Sequence, residues 1–228
     1  MDITKIQAVF NQGGGPAGWA DYENHRHYFR IWGGLAWPDK GAPGFIVVIG
    51  EGVSKNTNPA FYGLFESWHQ NHNALLLKCA ELASITDRFY SNSPEVQRIL
   101  LHGFNKEQQK TQVAGVRIYD APLLKDSDPT ELFSYADAEL DRRTSVGQKS
   151  VFLEACPLAR VALQRLPKGW KNAETLLGLP EVTALFYVLG AMFMFPYKDP
   201  EPPGEKQTWD PLRDGFDAYD GYDYLRNW

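Results

Sequence analysis

Two kinds of apolar pattern alternate along the chain. His27 to Trp37 (HYFRIWGGLAW) is aromatic and branched, broken only by Gly33-Gly34. It predicts a strand with a bulge or a close backbone approach at the glycines. After a turn at Asp39 to Gly44, Phe45 to Ile49 (FIVVI) is a continuous apolar run, the pattern of a strand buried on both faces. The short turn between them predicts an antiparallel pair. Ile85–Tyr90, Val116–Tyr119 and Val151–Leu153 predict further short strands. Spacings of three and four predict helices. Ala60–Ala83 carries Phe61, Phe65, Trp68, Leu75, Leu76, Cys79 and Leu82 on one face. A second helix starts at Ser93-Pro94 and stops at Gly103. A third opens at the capping box Asp128-Pro129-Thr130-Glu131 and carries Leu132, Phe133, Ala136 and Leu140 on one face. Pro157 starts a fourth, running through Leu166. At the N-terminus Ile3, Ile6, Val9 and Phe10 predict a short helix, followed by a loop at Gly13-Gly14-Gly15-Pro16.

Val182 to Phe195 (VTALFYVLGAMFMF) contains no charge. A spanning helix needs about 20 apolar residues, so this shorter run, closed by Pro180 and Pro196, predicts a helix buried in a core. Strands and helices alternate after residue 45, which predicts an α/β domain with a mixed sheet. Three regions follow: an N-terminal helix and glycine-rich loop over 1–24, the α/β domain over 25–197, and a tail over 198–228. The tail concentrates prolines and acids. It also keeps Trp209, Phe216, Tyr219, Tyr222, Tyr224 and Trp228 between its aspartates. Left floating, these rings would expose much apolar surface, so they are expected to dock on the domain or on a partner chain.

Composition narrows the function classes. The 228 residues carry 23 basic and 28 acidic side chains, a net charge of −5, and 43% are hydrophobic. Such a chain builds a core and is not coated in nucleic acid, although a local basic groove near Arg142, Arg143, Lys168 and Lys171 stays open as a reading. Two cysteines make no disulfide framework and no four-cysteine zinc site, which fits a reducing, cytoplasmic setting. The N-terminus lacks the basic start and apolar stretch of a signal peptide.

Several chemistries drop out. The glycine triplet is not followed by Gly-Lys-Ser/Thr, so no phosphate-cradling loop of an ATPase is encoded. Gly-x-Ser-x-Gly is absent, which removes the usual hydrolase elbow. Cys79 sits on an apolar helix face. Cys156 precedes Pro157 with no histidine near it in sequence. His69 and His72 lie three apart but have no recognisable third ligand. The tail's aspartates recur every third residue, the wrong spacing for an EF-hand. Carboxylates at element ends remain: Glu51, Asp87, Asp120 and Glu181. Hard divalent cations take oxygen ligands, and a two-metal nuclease needs about three carboxylates converging from different elements.

The order of these segments resembles the nuclease domain of phage terminase large subunits. GGLAWPDKGAPGFIVVIGE is similar to its opening strands, and ITDRFYSNSPEVQRILLHGF to its acidic strand and following helix. SVFLEACPLARVALQRL and PEVTALFYVLGAM are similar to its last strand, helix and closing helix. The resemblance implies a ribonuclease-H-like mixed sheet with helices on both faces. It also implies magnesium- or manganese-dependent DNA cleavage in packaging, with Asp87, Glu181 and Glu51 holding metal. DNA would be a partner, as would other packaging proteins through the tail, with no membrane. The chain departs from the family where a metal-binding aspartate belongs on the first strand, since Gly34 or Leu35 stands there. Thr183 replaces the aspartate before Ala184. The second implied reading is therefore a catalytically silent binding or assembly protein on the same fold.

Overall fold

The computed structural model describes residues 5–10, 16–39, 41–53, 59–86, 88–92, 116–124, 128–145, 150–167 and 169–197. The chain divides into two compact units, Met1–Tyr197 and Lys198–Trp228. The described residues all belong to the first. The predicted helix at 93–103, the glycine triplet, Asp87, Lys168 and the acidic tail lie outside them.

Among the described residues, eight strands form one mixed sheet: β1 (Ile6–Phe10), β2 (Pro16–Asp21), β3 (Arg26–Ala36), β4 (Gly44–Val53), β5 (Pro59–His69), β6 (Arg88–Ser91), β7 (Ile118–Asp120) and β8 (Val151–Phe152). At its centre β4 runs antiparallel to both β5 and β3. β6 lies parallel beside β3, and β7 parallel beside β6. The order β5-β4-β3-β6-β7, with three antiparallel strands followed by two parallel ones, is the ribonuclease-H-like arrangement. β8 adds in parallel to β5, and the β1–β2 hairpin extends the N-terminal half of β3.

Five described helices cover the sheet: α1 (His72–Leu82), α2 (Thr130–Ser145), α3 (Pro157–Gln164), α4 (Glu174–Leu177) and α5 (Pro180–Met194). Leu75, Cys79 and Leu82 of α1 pack on one face with Ile31, Leu35, Ile46 and Val48. The other helices pack on the opposite face, where α5 meets Trp32, Val47 and Ile49. Helices thus lie on both faces. As its composition predicts, α5 is buried almost all round, from Val182 to Phe193. Each large apolar side chain so buried is worth roughly 1.5–3 kcal/mol. Glycines let it sit close. A Cβ on Gly190 would overlap Leu132 of α2, whose Phe133 ring packs 5.7 Å from Phe186. No helix among the described residues is long and apolar enough to cross a membrane.

Two predicted helices prove to be strands. Residues 60–69 form β5, and the helix starts only at His72, where the Asn71 side chain accepts from the Ala74 N–H. Phe61 faces one core layer while Tyr62 and Leu64 face the other. A strand apolar on both faces shows no alternation, so its rings also satisfied helical spacing. The N-terminal segment likewise forms β1, paired antiparallel with β2, with Ile6 inward and Phe10 exposed. Spacings of three and four among so few residues do not separate helix from hairpin once a neighbouring strand supplies hydrogen bonds.

Candidate functional site

β3 is the central strand, and α5 crosses it. Arg30, Trp32, Gly34 and Ala36 share the face toward α5, because side chains alternate along a strand. At Gly34 the two backbones nearly touch. A Cβ there would overlap the Ala184 carbonyl oxygen and stand 3.2 Å from the Val188 Cβ. Leu35 points the other way and is fully buried with Ile31, Ile46 and Val48. Neither position on β3 holds or admits an acid. The small polar groups nearby are already engaged. Ser91 Oγ donates to the Leu35 carbonyl at 2.9 Å, and Thr183 Oγ1 to the Leu176 carbonyl at 2.9 Å.

Glu181 lies half-buried in the first turn of α5, one turn before Ala184. Glu51 is placed elsewhere. It sits opposite Arg30 in the β3–β4 register, and the two buried side chains form an ion pair through Arg30 Nε. Arg30 Nη2 donates to the Met192 carbonyl at 2.9 Å, and the guanidinium lies 4.0 Å over the Trp32 ring. Burial pushes the Glu51 carboxyl up, opposed by the Arg30 charge and then by Arg143. Burial likewise pulls Arg30 down, opposed by Glu51. Met192 is eleven residues beyond Glu181, about 16 Å along the helix at 1.5 Å per residue. Glu51 and Glu181 therefore mark opposite ends of α5 and are not brought together. Of the expected Asp87–Glu181–Glu51 set, the two described carboxylates thus lie apart. Glu51 stands as the partner of a buried arginine, because the β3–β4 register puts Arg30 directly across from it. Asp87 lies outside the described residues.

The described residues do not fit a two-metal centre, and among them no group of three His, Cys, Asp or Glu side chains is placed to hold an ion. Asp120 is exposed at the end of β7. The other candidates have structural occupations. His69 Nε2 and Ser67 Oγ lie 2.7 Å apart, and His72 stacks on Trp37. Both cysteines are buried and free. Burial pushes the Cys156 thiol up to about 12, helped by the Glu66 charge, and pushes Cys79 up as well. Neither is an activated nucleophile. Glu66 instead accepts from the Leu158 and Ala159 N–H groups at 2.7 and 2.9 Å, capping α3 from β5.

One constellation was missed from the sequence. β6 and the segment leading into β7 each carry Arg-x-Tyr, as Arg88-Phe89-Tyr90 and Arg117-Ile118-Tyr119. The parallel register sets Tyr90 beside Tyr119, and the Phe89 N–H donates to the Arg117 carbonyl at 2.8 Å. The Trp32 and Tyr90 rings are 5.1 Å apart, and Tyr90 and Tyr119 6.0 Å apart. The Arg88 guanidinium lies 5.5 Å from the Trp32 ring centre and 5.3 Å from that of Tyr119. Trp32 and Tyr90 are buried, whereas Arg88, Arg117 and Tyr119 are exposed. The repeated tripeptide was the available signal. Its meaning rests on the two strands being neighbours.

No family model and no curated protein matches this chain. A search of solved structures finds similarity to the nuclease domain of g2p, the large terminase of bacteriophage SPP1, a crystal structure with bound Mn. The TM-score is 0.44 and the identity 15%, over 73% of this chain and 86% of that one.

Proposed function

We propose that this chain is a catalytically silent binding or assembly module on the ribonuclease-H-like fold. The observation that carries this reading is the contact between Gly34 and Ala184. The terminase resemblance puts a metal-binding aspartate on β3. Here that strand is pressed against the helix backbone, so any side chain at Gly34 would push the central strand and α5 apart. The engagement of Glu51 by Arg30 supports the same reading, because it removes a second carboxylate from metal chemistry. DNA or packaging proteins are the partners that the resemblance suggests.

A second reading, a magnesium- or manganese-dependent nuclease using Asp87 and Glu181, is favoured by the place of Glu181 one turn from the β3–α5 crossing. The two separate in one assay. The purified chain is incubated with supercoiled plasmid and either Mg²⁺ or Mn²⁺, alongside Asp87→Ala and Glu181→Ala. No nicking above a protein-free control is the expected result. Nicking that depends on metal and disappears in both variants would overturn the silent reading and establish the nuclease.

A further inference from the structure

We infer that β1 is a self-pairing edge, through which two copies of this chain join antiparallel about a two-fold axis at Ala8. The inference goes beyond the proposed function and depends on neither the silent nor the nuclease reading. Among the described residues, β1, β7 and β8 have a neighbouring strand on one side only. An edge strand leaves a row of backbone N–H and C=O groups unpaired, and proteins blunt such edges with charge, proline, bulges or a cover. β8 has two residues, and β7 has three and ends in Asp120. β1 has five, Ile6-Gln7-Ala8-Val9-Phe10, with neither a charge nor a proline among them. The adjoining Lys5 is held by Glu23 at 3.1 Å. The β1–β2 hairpin does contain a bulge, but its extra residue, Ala17, belongs to β2, so β1 keeps its alternation. Ile6, Ala8 and Phe10 therefore share one face. Ile6 is 4% exposed and joins the core beside Trp19, whereas Phe10 is 64% exposed.

This pattern selects the occupant. An antiparallel pair centred on Ala8 sets Ile6 of each copy opposite Phe10 of the other, Gln7 opposite Val9, and Ala8 opposite itself. Each exposed Phe10 ring then lies against the Ile6 margin of the other core, and the two-fold axis makes that match twice. A charge-free edge offers a foreign peptide no charged group by which to be selected. A second copy needs none, because its own strand supplies the match. Pairing consumes both edges, so assembly stops at two. Five residues span only about 17 Å, short for a stable dimer, so the association is reversible and concentration-dependent.

The test is sedimentation velocity of the full chain over about 5–500 μM, suited to a small, weak interface. Wild type is expected to move from monomer toward dimer. Phe10→Ala should dimerise about two- to thirtyfold more weakly, since the symmetry loses the Ile6–Phe10 pair twice. Ala8→Lys and Ala8→Glu each set like charges opposite one another at the axis and should each dimerise at least about tenfold more weakly. Mixing the two should restore a dimer, because the charges at the axis are then opposite. Ala8 and Phe10 are exposed, so the variants should keep the wild-type thermal midpoint at low concentration, which is measured alongside. A wild type that stays monomeric overturns the inference. So does undiminished dimerisation of folded Ala8→Lys or Phe10→Ala, a mixture of the two charged variants that stays monomeric, or growth of wild type beyond a dimer.

Discussion

Replacing Glu51 by alanine should be among the most damaging single changes in the protein, for a reason unrelated to metal. Arg30 and Glu51 expose only 8% and 5% of their side chains. Without the carboxylate, the guanidinium keeps, among the described residues, the Met192 carbonyl and the Trp32 ring as its close contacts. Removing one partner of a buried pair typically costs about 3–5 kcal/mol, because the other charge stays desolvated and uncompensated. At about 2–4 °C per kcal/mol for a chain of this size, the thermal midpoint should fall by roughly 6–20 °C. The double variant Arg30→Met/Glu51→Leu removes both charges and keeps the volume, so it should recover most of the loss. Urea titration of wild type, both single variants and the double variant measures the coupling directly. The reasoning fails if Glu51→Ala stays within about 1 kcal/mol of wild type, well below the cost of an orphaned buried charge. It also fails if Mn²⁺ raises the midpoint of wild type but not of Glu51→Ala, since Glu51 would then be a metal ligand.

Three further outcomes are expected. Gly34→Ala should destabilise by about 1–3 kcal/mol or more, because its methyl overlaps the Ala184 carbonyl and two backbones must separate; chemical denaturation reads the loss. Glu66→Gln should cost about 1 kcal/mol, because the helix N-terminus loses its anionic acceptor, and a loss below a few tenths would reject the capping role. Burial, then the Asp21 charge, raises the Tyr28 hydroxyl from 10.0 to about 12. In that window the unfolded chain has lost a proton that the folded chain keeps. Tyr28 therefore stabilises the fold fully below about pH 10, and the contribution is lost as pH rises toward 12, by up to about 1.4 kcal/mol per unit. Tyr28→Phe should show a flatter alkaline branch in pH-dependent unfolding, and a branch of unchanged slope would reject the assignment.

Much of the architecture was legible along the chain. The apolar run 45–49 and the chargeless run 182–195 declare themselves buried, because neither has a polar side to turn to water. The Asp128 turn announces α2 because capping is a local exchange of hydrogen bonds. Asp128 Oδ1 does accept from the Thr130 N–H at 2.9 Å. Residues 60–69 were not legible, since a strand sandwiched between two apolar layers carries no period that distinguishes it from a helix. The site divides in the same way. Sequence named Glu51 and Glu181 as carboxylates at element ends, which is a statement about neighbours in the chain. Whether they converge depends on where β4 falls beside β3, and that register gave Glu51 to Arg30. The Gly33-Gly34 pair suggested a close approach, but only packing showed that Gly34 meets the backbone of α5. The two Arg-x-Tyr segments are 29 residues apart and become one surface only because β6 and β7 pair in parallel. Local rules govern which residues turn inward. Register and helix crossing, set by contacts between distant segments, decide which charges meet.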